Sequence, residues 1–140
     1  SRQIVDRTLG YVGDLVHAQH PDEVVSNFSR REPVVQSQHP DHPDAVEYSL
    51  RLKPVEYDNV RVALDVKNGD ELVEKIRNAE QQFRQQEFEV SHSRSTNRVV
   101  MYEWQIETVD PLYDEQMQDE IASKFADLIE TGHGVFDANL

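Results

Sequence analysis

The order in which apolar residues recur along the chain limits its fold more than any single motif does. A stretch with helical spacing is followed by strand-like alternation, a second helical stretch, two more alternating runs and a last helical stretch near the C-terminus. Apolar residues at period 3.6 indicate an amphipathic helix, and those at period 2 a half-buried strand. We therefore predict one α+β domain over residues 1–140, with the order α-β-β-β-α-β-β-α, a mainly antiparallel sheet and helices packed on one face.

Helical spacing covers residues 3–18, about 68–86 and about 117–131. Asn68 and Glu71 have the spacing of a capping box, which predicts that the second helix begins there. The third helix is expected to end at Gly132 or Gly134, because glycine commonly stands just past a helix C-terminus.

The clearest strand signal is a pair of alternating runs, 46–53 and 60–67, which predicts an antiparallel hairpin with one buried face. Phe88 begins a fourth strand, and residues 99–107 form a fifth that is apolar on both faces. A strand that faces water on one side normally has one polar face, so the fifth strand predicts cover by a helix, a second subunit or a ligand chain. A homodimer is the expectation that follows.

Residues 19–44 form an irregular, proline-rich insert in which Val24–Phe28 and Val34-Val35 are expected to give one broken or edge strand. His-Pro-Asp occurs three times within it, and proline followed by aspartate favours turns. A metal site could be composed of four side chains of this insert: His39, Asp41, His42 and Asp44. Groups packed so closely on a proline-interrupted loop would not converge on one ion, so we predict no metal and no cofactor.

The composition narrows the classes of function. Acidic residues number 27 against 14 basic ones, and the net charge of −13 argues against a phosphate-binding surface and hence against nucleic acid as a partner. Lysine supplies only four of the basic residues, a bias that suits a halophilic protein. The sequence has no cysteine, no apolar run of membrane-spanning length and no signal-peptide pattern, so we expect a cytoplasmic protein that does not enter the membrane.

The second half of the chain resembles the type III secretion chaperone fold and its YbjN-like relatives. The resemblance lies in strand Asn59–Lys67, helix Leu72–Gln86, the short run Glu87–Val90, strand Arg98–Glu107 and the terminal helix. The proline-rich segment 33–44 departs from the compact first hairpin of that fold. The resemblance implies a non-enzymatic domain that binds a partner polypeptide, often as a homodimer.

Such a domain would take an extended segment at a sheet edge or over an apolar groove. The candidate contacts are Val24, Val25, Phe28, Val99, Met101, Tyr102 and Trp104. A weaker resemblance is to the uncharacterised α+β domains at the end of some restriction-related proteins, which would make the chain an accessory module of a defence protein.

One pattern favours an enzyme instead. Pro43-Asp44, followed after a gap by Asp65-Val66-Lys67, matches the PD-(D/E)XK nuclease pattern, in which Asp44 and Asp65 would hold Mg²⁺ and Lys67 would position the attacking water. The exposed face of a hairpin also carries charges for ordinary cross-strand pairing, and the net charge of −13 suits DNA cleavage poorly. We therefore favour the binding module over the nuclease.

Overall fold

The structure, a computed structural model, describes residues 2–28, 33–53, 59–67, 69–93 and 96–137. The helices are α1 (Arg2–Gln19), α2 (Asp70–Asn78), α3 (Glu80–Arg84) and α4 (Glu115–Asp137), with a short 3₁₀ helix at Asp110–Tyr113. The strands are β1 (Val24–Phe28), β2 (Val34–Gln38), β3 (Val46–Lys53), β4 (Asn59–Val66), β5 (Glu89–Val90) and β6 (Arg98–Gln105).

These strands form one sheet in the order β1-β2-β3-β4-β6-β5, and every neighbouring pair is antiparallel. The predicted α+β class and antiparallel sheet are confirmed. The segment predicted as one broken strand folds back on itself, so that its two halves become β1 and β2, paired from Val24 opposite Gln38 to Phe28 opposite Val34. The chain leaves the sheet after β4 and returns through β5, which places β6 between them.

The two faces of the sheet differ because side chains alternate along each strand. On β3 every second residue from Val46 to Leu52 is buried, and the residues between them are half-buried. Helices α1 and α4 cover the apolar face, with α1 against β1, β2 and α4, and α4 against β3 and β4. The opposite face carries polar and charged side chains and is called the open face below.

Helix α4 continues through both of the glycines at which we expected it to end, so that prediction was wrong. Gly132 is buried where the helix crosses the ring of Tyr48, and a Cβ atom there would lie 2.7 Å from the Tyr48 Cε1. A glycine is needed for this close approach, although glycine lowers helix stability by about 1 kcal/mol relative to alanine. Val135 and Phe136 are buried as part of the same helix.

The predicted second helix is interrupted at Ala79, which separates α2 from α3. Gly69 is the N-cap residue of α2, and the predicted capping residue Asn68 lies outside the described residues. After α3 the chain reverses at Glu87, which has a φ of 69°, and the Phe88 N–H donates to the Phe83 carbonyl at 3.1 Å. This is the hydrogen bond of a Schellman C-cap, with glutamate in the place that glycine usually takes.

Candidate functional site

The residues predicted to contact a partner differ widely in accessibility. Val24 is 60 % exposed on β1. Of the others, Val25, Met101 and Tyr102 are half-buried, whereas Val99 and Trp104 are buried within this chain. Phe28 completes the backbone of β1, and its side chain lies outside what the structure describes. Among the predicted contacts whose side chains the structure describes, Val24 is therefore the most open to a second molecule.

A β-bulge accounts for the two-sided apolar character of β6. Leu64 pairs with Val100, but the next residue, Asp65, pairs with Arg98, which leaves Val99 as the extra residue of the bulge. Val99 and Val100 are consequently both buried although they are neighbours in sequence. The chain itself buries Val99, Val100 and Trp104 of this strand, and cover by a second subunit stays a prediction.

The two edges of the sheet are protected to different degrees. At one edge, β5 has only two residues, and the exposed Glu89 is one of them. At the other edge, β1 has five residues, Val-Val-Ser-Asn-Phe, without a charge or a proline, and no described strand pairs with its outer side. Natural sheets usually protect an edge with charge, proline, a bulge or short length. Strand β1 is long and neutral enough to accept another strand.

The open face carries an arginine cluster, defined here as Arg51, Arg61 and Arg98. Arg51 on β3 lies directly opposite Arg61 on β4, and Glu103 on β6 lies opposite Arg61 on its other side. Partial burial, together with the positive charges of Arg51 and Arg98, lowers the pKa of Arg61 to about 10. Burial is the largest cause of this lowering, and the carboxylates of Glu103 and Asp65 oppose it.

Asp65 lies beside the same cluster. Burial raises the pKa of its carboxyl, and the charges of Arg98, Arg61 and Lys67 oppose that rise. Two buried atoms here, the Asp65 Oδ1 and the Arg98 Nε, have no hydrogen-bond partner among the described residues. Buried polar atoms are usually satisfied by protein groups or by ordered water.

The three residues of the nuclease alternative have different surroundings. Asp44 is exposed in the turn before β3, and its carbonyl oxygen accepts a hydrogen bond from Gln38 Nε2 at 3.1 Å. Lys67 follows β4, with its Nζ 4.0 Å from a Glu47 carboxylate oxygen. Within the described ranges no group of three or more His, Cys, Asp or Glu residues is arranged to hold a metal ion. The cations around Asp65 also suit Mg²⁺ poorly, and the nuclease remains a prediction.

Four of the six histidines form a second concentration of titratable groups, which we call the histidine cluster: His20, His39, His42 and His133. The rings of His39 and His42 stack with their centroids 4.3 Å apart. The His133 ring meets both of them edge-on at 5.0 and 5.1 Å, and His20 lies on its other side at 5.2 Å.

Two carboxylates hold this cluster in place. The buried Glu23 accepts hydrogen bonds from His133 Nε2 and, at 2.8 Å, from the Ser37 hydroxyl. The exposed Asp137 accepts one from His42 Nε2 at 2.6 Å. Through these bonds the start of β1, the end of β2 and the turn before β3 are all joined to the last turns of α4. The cluster therefore connects the edge of the sheet to its covering helix.

The sequence contained part of the signal for this cluster. Strand β1 begins just after the first His-Pro-Asp, and β2 ends just before the second, so pairing β1 with β2 brings those two turns together. His133 lies far away in sequence, and its participation depends on how α4 packs across the sheet. Of the four residues considered above as a metal site, His39 and His42 lie together in the histidine cluster. The other two, Asp41 and Asp44, are exposed.

Comparison of the chain with protein-family models, with curated proteins and with solved structures finds no match. None of the described helices is both long and apolar enough to cross a membrane.

Proposed function

We propose that this domain is a non-enzymatic module that binds a partner polypeptide by adding an extended segment of it to the free edge of β1. The observation that supports this proposal is the difference between the two sheet edges. The β5 edge is short and carries a charge, whereas the β1 edge is a neutral five-residue strand with an exposed valine. An edge of that kind is either an aggregation hazard or a binding surface.

Strand addition would be favourable on physical grounds. When a second strand pairs with an edge strand, the outward N–H and C=O groups exchange hydrogen bonds to water for hydrogen bonds to that strand. Each such hydrogen bond contributes about 1 kcal/mol net. Burying the exposed part of the Val24 side chain adds about 1 kcal/mol. Val24 and Ser26, the exposed ones among the side chains of β1 that the structure describes, are both uncharged, so the segment that pairs there should be neutral at the facing positions.

The more specific predictions from the sequence, on the kind of binding module, its location, its source and its oligomeric state, are part of the same proposal. Binding of an unfolded or extended segment is the action expected of a chaperone-like domain, or of an adaptor module within a defence protein. A cytoplasmic location and a halophilic source fit the excess of acidic residues. A homodimer would use the same edge, with the β1 strands of two copies paired, and would therefore compete with the binding of a partner segment there.

The proposal is tested by selecting peptides from a phage-displayed random library and measuring the affinity of a labelled selected peptide by fluorescence anisotropy. Hydrogen exchange should show new protection at the β1 amides when the peptide binds. Val24→Lys places a charge on the edge and should weaken binding about tenfold or more. The control is Tyr113→Lys, a comparable change at a residue that is also exposed but lies on the 3₁₀ helix rather than on the sheet edge.

Two results would overturn the proposal. One is the absence of any enriched peptide that binds better than its scrambled version. The other is exchange protection that falls on other elements and leaves the β1 amides unchanged. A parallel incubation of plasmid DNA with Mg²⁺ tests the nuclease alternative, which would be supported by cleavage that Asp65→Ala abolishes.

A further inference from the structure

The His39 side chain has a hydrogen-bond role that requires a neutral ring. Its Nδ1 accepts a hydrogen bond from the Asp41 backbone N–H at 3.0 Å, and an imidazole nitrogen accepts only while it carries no proton. Because a backbone N–H is always a donor, this bond places the ring proton of His39 on Nε2. Protonation of Nδ1 would set two N–H groups against each other, and the bond would be lost.

The neighbouring ring of His42 is also poorly placed to take a second proton. It stacks on His39 with the centroids 4.3 Å apart, and its side chain is only 2 % exposed. Its Nε2 bonds to Asp137, while its Nδ1 is a buried atom without a hydrogen-bond partner among the described residues. A proton on that Nδ1 would be a buried donor with no acceptor among those residues. If both rings were protonated, two cations would lie face to face.

The other titratable groups around these two rings differ from His39. His133 and His20 direct Nε2 at the Glu23 carboxylate and, at 3.3 Å, at the Ala126 carbonyl, which accept from a neutral or a protonated ring alike. Asp137 attracts positive charge on the rings and so opposes release, but it is exposed and already bonded to His42. The titratable groups that surround the two rings are Glu23 before β1, Tyr48 on β3, His20 after α1, His133 and Asp137 on α4, and the exposed Asp41 and Asp44 of the turn itself.

The turn that carries His39 and His42 is joined to the edge strand. His39 directly follows Gln38, whose partner in the β1–β2 ladder is Val24, the exposed residue of the free edge. The same turn meets α4 through His133, whose ring lies edge-on to that of His39 at 5.0 Å. A change in the turn therefore reaches the Val24 end of β1 and the last turns of α4 together.

We propose that His39 is a proton sensor for the sheet edge: the neutral ring helps to hold the Val24 end of β1 against α4, and protonation of the ring loosens that end. The sign follows from the hydrogen bond to Asp41. Protonation costs the folded state a bond that the unfolded chain does not have, so this stability is present while histidine is neutral and is lost as the pH falls through about 6.5. The release is a property of the fold, and only its effect on partner binding rests on the proposed function.

Native-state hydrogen exchange at about pH 7.5 and about pH 5.5 tests the sensor. Protection factors, which correct for the intrinsic pH dependence of exchange, should fall about tenfold at the lower pH for the His42 amide and the Val24 end of the β1–β2 ladder, while those of β4 stay unchanged. His39→Asn cannot be protonated in this range, yet its side-chain oxygen can accept from the Asp41 N–H, so it should keep the turn and remove the pH dependence. His17→Gln is the control, since His17 is an exposed histidine on α1 outside the histidine cluster, and this variant should retain the fall.

Nuclear magnetic resonance of the His39 ring gives a second test that needs no variant. At neutral pH its Nδ1 should be the unprotonated nitrogen. The inference is overturned if the ring proton is on Nδ1, if wild-type protection does not fall at the lower pH, or if the fall persists in His39→Asn. It is also overturned if protection falls equally throughout the sheet, because that result describes global unfolding.

The same variants separate this inference from the proposed function. A selected library peptide should bind the wild-type chain about tenfold more weakly at the lower pH and should bind His39→Asn equally at both. Loss of local protection in a chain that binds no library peptide supports the sensor and refutes the edge proposal. Peptide binding with protection that does not depend on pH refutes the sensor and leaves the edge proposal standing.

Discussion

Gly132 of α4 lies against the ring of Tyr48 on β3 so closely that there is no room for a Cβ atom between them. The two residues are fully buried, and the Tyr48 hydroxyl has no hydrogen-bond partner among the described residues. Burial raises the pKa of this phenol, so it stays neutral wherever the protein is folded. The contact fixes the position at which the last helix crosses the central strands.

Gly132→Ala should therefore destabilise the protein by about 2 kcal/mol, the usual range for inserting a methyl group into a packed core. Gly134→Ala is the control, because its Cβ would meet nothing within 4 Å. That change should stabilise α4 by about 1 kcal/mol through helix propensity. Urea unfolding of the two variants checks both values, and equal effects of the two changes would contradict the described contact.

Glu23→Ala is expected to lower the free energy of unfolding by about 3 kcal/mol, because it leaves the His133 imidazole and the Ser37 hydroxyl without their buried acceptor. Asp22→Ala, at the exposed neighbouring residue, should change stability little. Chemical denaturation of both variants measures the difference. A small effect of Glu23→Ala would mean that the histidine cluster does not hold α4 to the sheet edge.

Asp137 gives stability a defined dependence on pH. Its hydrogen bond with His42, and the charges of His42, His133 and His39, hold the pKa of its carboxyl below the ordinary value of 3.8. A carboxyl whose pKa is lower in the folded state contributes stability above its unfolded pKa and loses that contribution as pH falls through the folded pKa. The thermal midpoint of the wild type should exceed that of Asp137→Asn near neutral pH, and the two should converge once the pH falls below the folded-state pKa of Asp137. A difference that grows on acidification would contradict this assignment.

Glu87→Gly should stabilise the end of α3. Glu87 has a φ of 69° in the Schellman cap, a region that costs a non-glycine residue about 1 kcal/mol or more. Part of this gain is offset because glycine has more freedom in the unfolded chain, so the net increase should be about 0.5 kcal/mol. Calorimetry of Glu87→Gly beside Glu87→Ala is the measurement, and the alanine variant should not show the gain.

Homodimer formation through β1 is tested by light scattering after size-exclusion chromatography. The wild-type chain should elute as a dimer, and Val24→Lys should shift it to a monomer because a charge on an edge strand opposes its pairing with another strand. Tyr113→Lys should leave the dimer intact. A wild-type chain that is monomeric at all concentrations would refute the dimer but not peptide binding at the same edge.

The regular elements were predictable from the sequence because their periodicity is local. Alternation along 46–53 and 60–67 predicted the central hairpin, and Glu47 and Asp65 occupy its less buried face as expected. The continuation of α4 was not predictable, since it depends on the distant ring of Tyr48. The bulge at Val99, opposite Leu64 and Asp65, was not predictable either. The register between two strands depends on both of them, whereas a sequence pattern describes one strand at a time.

The candidate sites were less predictable than the fold. Val24 was identified because it lies in the expected broken or edge strand, but its exposure depends on β1 lying at the sheet edge. Charged residues were expected on the exposed face of the central hairpin, yet the register that sets Arg51 opposite Arg61 was not available from either strand alone. The histidine cluster required the packing of α4.

The position of β6 between β4 and β5 has a consequence for how the molecule folds. Strands β1 to β4 are joined in sequence by hairpins, so their contacts close small loops and can form early. The pairing of β4 with β6 must wait until α2, α3 and β5 have been placed, which makes it the slow, non-local step. Until that step is complete, β4 is a second uncovered edge, and the nascent chain would be most prone to aggregate at that stage.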